Sequence, residues 1–376
     1  MSHDIIILGL GAMGSAAAFE LARRGRRVLG LEQFPLVHDR GSSHGSTRVI
    51  RKAYFEHPDY VPLLQRAYER WYDLEQRVGK HLFTECGCLS LGTPDSELIA
   101  GVRRAAAEHR LPVEDLTHAE LGKRFPVFHF PADHVGVLER DAGFLYVEDC
   151  VRAHLDAARG LGAELHESES VLSWTATAAG VTVTTARGTY SAAKLVIAAG
   201  AWAAATLAAL GLPLTVRRKL LFWLQTQNDA ALRRDVFPVY MAETPGGFFY
   251  GFPVVDGNGH KLARHDGGDI VADPAAVERA VAPGEEADCR AFVQAHLPTA
   301  NGPVRAAKVC LYTLTPDQHF ILDVHPQHAN VAVAAGFSGH GFKFASAVGE
   351  VLADLAEQGR SRLPIGMFGL GRFPAK

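Results

Sequence analysis

The sequence has little cysteine, no excess charge of either sign and no long apolar run at its start, and each shortage removes a class of function. Only five cysteines occur among 376 residues: Cys86, Cys88, Cys150, Cys289 and Cys310. They are neither dense nor paired like a disulfide scaffold, and Cys86 and Cys88 lack the second pair of a zinc site, so no metal is expected. Taken alone, each thiol reads as a small buried apolar group. A formal net charge of -3 leaves no global basic field, which argues against nucleic acid and anionic membrane as partners. The short basic pairs Arg23-Arg24 and Arg26-Arg27 read as a solvated helix face. The first apolar run, Ile5 to Leu8, has no charged leader and is too short for a signal segment or a spanning helix, which predicts a cytoplasmic enzyme with no membrane partner. There is no repeat of 20 to 50 residues and no low-complexity linker.

What is present is enough apolar sequence, 48% of residues, to bury a large core over two domains. Ile5-Ile6-Ile7-Leu8 predicts a buried strand, Ala12 to Arg24 a helix stopped at Gly25, and Val28 to Leu31 a second strand ending at Glu32. Between the first strand and the helix, Gly9-Leu10-Gly11-Ala12-Met13-Gly14 matches G-x-G-x-x-G, so the segment predicts a βαβ dinucleotide site. Gly9 allows the tight turn, Gly11 lets backbone approach a pyrophosphate, and Gly14 lets helix pack on strand. Glu32 stands where a carboxylate meets an adenosine ribose. FAD and NAD remain equally compatible with this unit.

Period-2 sequence from Val171 to Ala199 predicts a β-meander, and Leu214 to Pro253 a second, mostly antiparallel sheet. Helices are expected at Val61 to Lys80, Cys150 to Leu161 and Phe344 to Gln358. Three further segments carry chemistry. Gly41 to Arg51 gathers small residues, hydroxyls, His44, Arg48 and Arg51, and suits either a flavin's phosphate chain and a carboxylate or plain solvated arginines. Lys261 and His265 lie four apart, on one face of a helix or a strand, as groups beside a redox centre or as surface charges. The loop Gly336 to Lys343, with Phe337, Gly339, His340, Gly341 and Phe342, enters a helix and offers amides to an anion, or is a simple turn.

These segments, in order and spacing, resemble those of the monomeric sarcosine oxidase and N-methyltryptophan oxidase family of FAD-containing amine oxidases. The resemblance runs from Ile5 to about residue 370 and rests on Gly9 to Gly14, His44 to Arg51 with Tyr54, Tyr60 to Leu63, Tyr250 to Pro253, Lys261 with His265, Cys310 to Thr313, and Gly336 to Phe344. It implies an α/β fold: a Rossmann-type, glutathione-reductase-like FAD domain (residues 1–85, 141–215 and 306–376) interleaved with an α+β substrate domain on a mostly antiparallel sheet (86–140 and 216–305). It implies FAD bound covalently as an 8α-S-cysteinyl group on Cys310. Further cofactor contacts follow from it at Gln33, Ser43, His44, Thr47, Arg48, Val171, Ala199, Gly200, Trp202 and the Phe337 to Lys343 loop.

The resemblance likewise implies that Arg51 and Lys343 grip a substrate carboxylate and that Tyr250, His265 and Tyr312 line the substrate cavity. Lys261 would sit where oxygen reacts, with Arg48 and His44 near the flavin ring. Two cations holding one carboxylate would orient the hydrogen on the carbon alpha to the amine for transfer as hydride, leaving an imine that water hydrolyses. Oxygen would then be the acceptor and hydrogen peroxide the product. The implied protein is a monomer acting on a small secondary, N-methyl amino acid such as sarcosine. A cyclic imino acid, an N-methyltryptophan-like or a glycated substrate, and a flavin-binding sensor without turnover, stay open. Three departures bear on substrate choice: Lys52 and Phe55 stand where the sarcosine enzymes carry histidine and glycine, and Phe249 where they carry tyrosine.

Overall fold

A computed structural model of the protein describes residues 3–373, so the tips of the first and last expected domain segments, residues 1–2 and 374–376, lie outside it. The opening unit forms as β1 (His3–Leu8), α1 (Ala12–Arg23) and β2 (Val28–Leu31). β1 and β2 run parallel, with Ile5 opposite Val28 and Leu8 opposite Leu31. Layers cover both faces of these strands, which is why their sequences are continuous apolar runs with no alternation. On its other side β1 pairs, again parallel, with Thr189–Ile197.

That strand closes the expected meander, Val171–Thr177, Gly180–Thr185 and Thr189–Ile197, and its far end pairs parallel with His328–Ala335. With Glu164–His166 and Ile321–His325 these strands make an eight-stranded sheet. α1, Val147–Gly160 and Ala345–Gln358 pack together with Val61–Val78 in one apolar core that includes Ile5, Ile7, Leu21, Leu64, Val348 and Leu352. The expected helix from Val61 stops at Gly79, whose φ of 63° lets the chain turn left-handed where its last carbonyls need capping.

The second sheet has nine strands. Its long axis is the antiparallel pair Thr215–Leu224 and Val304–Leu314, in which Lys219 faces Cys310 and Arg217 faces Tyr312. His260–Arg264, Gly247–Gly251 and Val239–Thr244 follow, and Val239–Thr244 pairs parallel with Cys88–Gly92, so the sheet is mostly antiparallel as expected. β3 (Thr47–Ile50) belongs to a small third sheet with Gly143–Tyr146 and Phe83–Glu85. It carries the arginine-rich segment out of the nucleotide-type sheet toward the antiparallel one.

The basic pairs after α1 are not simply solvated. Arg23 and Arg24 bond Glu20, and Arg24 and Arg26 also reach Glu357 on Ala345–Gln358. Glu20, buried at the helix packing seam, draws the arginines inward because an unpaired carboxylate there would be costly.

Candidate active site

The glycine turn is shaped as its sequence requires. Gly9 has φ 87°, and a Cβ there would lie 2.5 Å from the Ala198 carbonyl oxygen; a Cβ on Gly14 would fall 1.8 Å from the Gly9 oxygen. No side chain fits either place, so strand and helix meet backbone to backbone. The Ala12 amide at the start of α1 donates to Ser43 Oγ (3.0 Å). Glu32 is buried at the end of β2, where its carboxylate accepts the Leu10 amide (2.9 Å).

These residues open on a cavity of about 550 Å³. Among its walls are Gly9, Gly11, Met13, Glu32, Gln33, Ser43, Arg48, Val171, Ala199, Gly200, Trp202, Tyr312, Phe337, Gly339, Gly341 and Phe342. A cradle that no Cβ may enter, helix-start amides and a terminal carboxylate are what a dinucleotide needs, and Glu32 and Tyr312 wall the same cavity. Gly14, His44, Thr47 and Cys310 lie behind this wall and not on it.

Behind the wall, Lys261 is 2% exposed, and its Nζ donates to the Gly45 carbonyl (2.5 Å), the Thr47 carbonyl (2.7 Å) and Thr47 Oγ1 (3.2 Å). Burial, reinforced by Arg48, pushes its pKa well below the ordinary lysine value, against the pull of Glu148. The surface-charge reading of this lysine therefore fails, because the strand His260–Arg264 is covered on both faces. His44 is buried with both ring nitrogens unpartnered, and burial pushes its pKa down to about 3. Cys310 is buried with its Sγ 3.5 Å from Arg48 Nη2, and Arg48 faces the cavity. Burial raises the thiols of Cys88, Cys150 and Cys289, as inert apolar groups require.

Arg48, Tyr312, Gly339 and Phe342 also wall a second cavity of about 60 Å³. It is completed by Val49, Arg51, Phe55, Glu56, Met241, Phe248, Tyr250, His265, His340 and Lys343. The Arg51 fork donates to Glu56 Oε2 (2.8 Å), the Ala53 carbonyl (3.2 Å) and Met241 Sδ (3.3 Å). Lys343 Nζ donates to the His340 carbonyl (2.7 Å) and Tyr54 Oη (3.4 Å). Burial, then the neighbouring Arg51, lowers Lys343 to about 7. Burial would raise Glu56, but Arg51, His340 and Lys343 hold it down to about 2, so it stays ionised. His265 is lowered to about 4 by burial and is neutral, its Nδ1 3.5 Å from Tyr312 Oη.

Sequence reasoning missed Glu56, Met241 and Phe248 in this cavity; only Glu56 carries a local hint, an acid five residues after Arg51. Two expected determinants of substrate choice lie elsewhere. Lys52 pairs with Asp141, and Phe249 points to the opposite side of its strand, where it stacks on Phe292 at 4.5 Å. Strand alternation sends Phe248 and Tyr250 to the cavity's side and Phe249 away from it. Phe55 does line the cavity, with its ring 5.4 Å from that of Phe248. His340, expected on the cofactor, walls only the smaller cavity, and its Nδ1 meets Tyr54 Oη at 2.6 Å.

Residues 4–355 match the profile of a family described as FAD dependent oxidoreductase. The chain is 43% identical to a monomeric sarcosine oxidase of Streptomyces avermitilis, over 100% of this chain and 98% of that protein. It is 36% identical to an N-methyl-L-tryptophan oxidase of Yersinia pestis, over 99% and 100%. Its fold is similar to that of NikD, an unusual amino acid oxidase essential for nikkomycin biosynthesis, with a TM-score of 0.85, 27% identity and coverage of 98% and 97%.

Proposed function

Since this chain belongs to the FAD dependent oxidoreductase family, among the monomeric sarcosine and N-methyltryptophan oxidases, we propose that it oxidises small N-methyl amino acids, sarcosine foremost, with oxygen as electron acceptor. The products are an imine, which water hydrolyses, and hydrogen peroxide. One observation carries this reading: Arg48, Arg51 and Lys343 converge on a small cavity that shares its walls with the dinucleotide cradle. Bound FAD supplies the acceptor for the hydride that leaves a carbon attached to the amine nitrogen.

The chain's own residues supply position and charge. Gly9, Gly11, Ser43 and Glu32 hold the nucleotide end, and Cys310 carries the covalent link, a reading supported by its place beside Arg48 and one residue before Leu311, a wall of the larger cavity. Arg51 and Lys343 take the substrate carboxylate, while Tyr250, His265 and Tyr312 close the wall around the amine. The rings of Tyr250, Tyr312 and Phe248 keep water from the reacting carbon. Lys261, with Arg48, provides the positive field that favours reduction of oxygen, and the uncharged His44 stands beside them.

The name of the relatives supports a monomer. No helix among the described residues is long and apolar enough to cross a membrane. The FAD-binding part comprises 1–85, 141–215 and 306–376, and the substrate part 86–140 and 216–305.

Peroxide release measured with sarcosine, a cyclic imino acid, N-methyltryptophan and a glycated amino acid tests the substrate reading. Sarcosine is expected to give the highest kcat/KM, and no release with any of the four would refute it. Glu56 competes with substrate for Arg51, so Glu56→Gln is expected to lower the KM for sarcosine about tenfold, or about 1.4 kcal/mol. The same change is expected to lower the Tm of the substrate-free protein, because Arg51 loses its buried counter-ion. Steady-state kinetics and thermal melts check both.

A further inference from the structure

Glu139 ends the strand Val135–Glu139 and is 4% exposed, yet it touches neither cavity. Its two carboxylate oxygens are spent on backbone: Oε1 accepts the Lys52 amide (2.6 Å) and Oε2 the Ala53 amide (2.9 Å). These are the first residues after Arg51, where the chain has left β3 and no sheet ladder remains to hold it. The residue so gripped is also the one Arg51 uses, since Arg51 Nη1 donates to the Ala53 carbonyl (3.2 Å). Glu139 thus fixes Ala53 through its N–H, and Ala53 fixes the guanidinium through its C=O.

We propose that Glu139 is a positioning residue for substrate carboxylate binding: its carboxylate clamps the Lys52 and Ala53 amides and thereby sets the direction of the Arg51 fork. This rests on the amine oxidase reading only in naming the anion as a substrate carboxylate. Without the clamp, the two amides lose their acceptor and the Ala53 carbonyl is no longer held, which leaves Glu56, Met241 and the Tyr54 and Phe55 rings to orient Arg51. A bidentate fork tolerates little misdirection, so binding suffers before chemistry does.

The clamp needs an ionised carboxylate, because a protonated one would turn an O–H toward an amide N–H. Burial raises the Glu139 pKa to about 7, opposed by the two amides. The charged and titratable groups around it are Arg51 and Lys52 on the gripped segment, Asp141 on the following turn, Tyr68 on the helix Val61–Val78 and Cys88 on the neighbouring strand. Carboxylate affinity is therefore expected to fall as the pH drops through about 7. Loss of charge on Lys343, also near 7, weakens affinity in the other direction, as the pH rises.

The test is the flavin-loaded holoenzyme and its Glu139→Gln variant, with acetate as a probe that cannot be oxidised. Acetate is titrated by the change in the flavin's visible spectrum from pH 6 to 8, and sarcosine turnover is measured alongside. The variant is expected to bind acetate about tenfold more weakly and to show a similar rise in KM, with kcat within about twofold. The acid limb of the affinity profile should vanish while the Lys343 limb remains.

Unchanged acetate affinity in the variant, or a fall in kcat with KM unchanged, would overturn the proposal. If the variant does not fold, the wild-type profile decides alone, and an acetate affinity that stays flat or rises below pH 7 overturns it. A wild-type protein that binds acetate but oxidises no amine sinks the oxidase reading and leaves the clamp standing. One that binds no acetate overturns the clamp, and the oxidase reading is then decided by the sarcosine turnover measured alongside.

Discussion

In Cys310→Ser, acid denaturation is expected to release all of the flavin into the supernatant, whereas the wild-type polypeptide stays yellow. A thioether survives denaturation and a set of noncovalent contacts does not, so the difference is all or none. The serine hydroxyl fits the thiol's place, 3.5 Å from Arg48 and below the surface, so the variant should fold with a stability change of about 1–2 kcal/mol at most. Mass analysis of peptides from the wild-type protein should find the added mass on the segment Val304–Leu314. Flavin released equally from both proteins would remove Cys310 from the account and leave the noncovalent cradle.

Lys261→Met is expected to slow reoxidation of the reduced enzyme by oxygen about 10²–10³-fold, with reduction by substrate changed less than about threefold. Such an asymmetry follows from the lysine's place. Lys261 lies behind the wall of the larger cavity, away from Arg51 and Lys343, with its Nζ 4.6 Å from the Phe252 ring and 5.5 Å from that of Trp223. In that buried place one cation is worth several kcal/mol to an anion that forms nearby, because little water screens it. The depressed pKa means that the charge costs most when no anion is present, so the lysine's benefit is concentrated in the oxygen step. Stopped-flow measurement of the two half-reactions checks this; equal slowing of both would remove Lys261 from its role. The variant also removes the lysine's hydrogen bonds to the Gly45 and Thr47 carbonyls, which keep the Thr47 amide and Arg48 Nη1 as donors, at a cost of about 1 kcal/mol in stability.

The βαβ unit was fully legible in the sequence because its physics is local. The turn, the helix start and Glu32 fall within 32 consecutive residues, and each is dictated by its neighbours in the chain. Helix limits were legible for the same reason, as with Gly25 and Gly79. Cys310, Arg51, Lys261 and Lys343 were placed by resemblance, since nothing near them in sequence tells a buried lysine from a surface one.

What escaped notice depends on contacts between distant segments. Glu139 meets Ala53 across 86 residues, and Glu148 holds the Gly45 amide across 103. Both are single acids in ordinary strand or helix sequence. Arg24 looked solvated because Glu357, its partner, lies 333 residues away. Phe249 and Phe248 exchanged parts for a simpler reason: a strand's two faces are fixed by register, which a single sequence leaves open by one residue.

The central claim is that a carboxylate-binding cavity joined to an FAD cradle oxidises an N-methyl amino acid. Anaerobic mixing of the purified holoenzyme with sarcosine tests it most directly. The flavin's visible absorbance should bleach, and on admitting air it should return with one hydrogen peroxide formed per flavin. Absorbance that stays unchanged with sarcosine and with every other secondary amino acid tried would contradict the account.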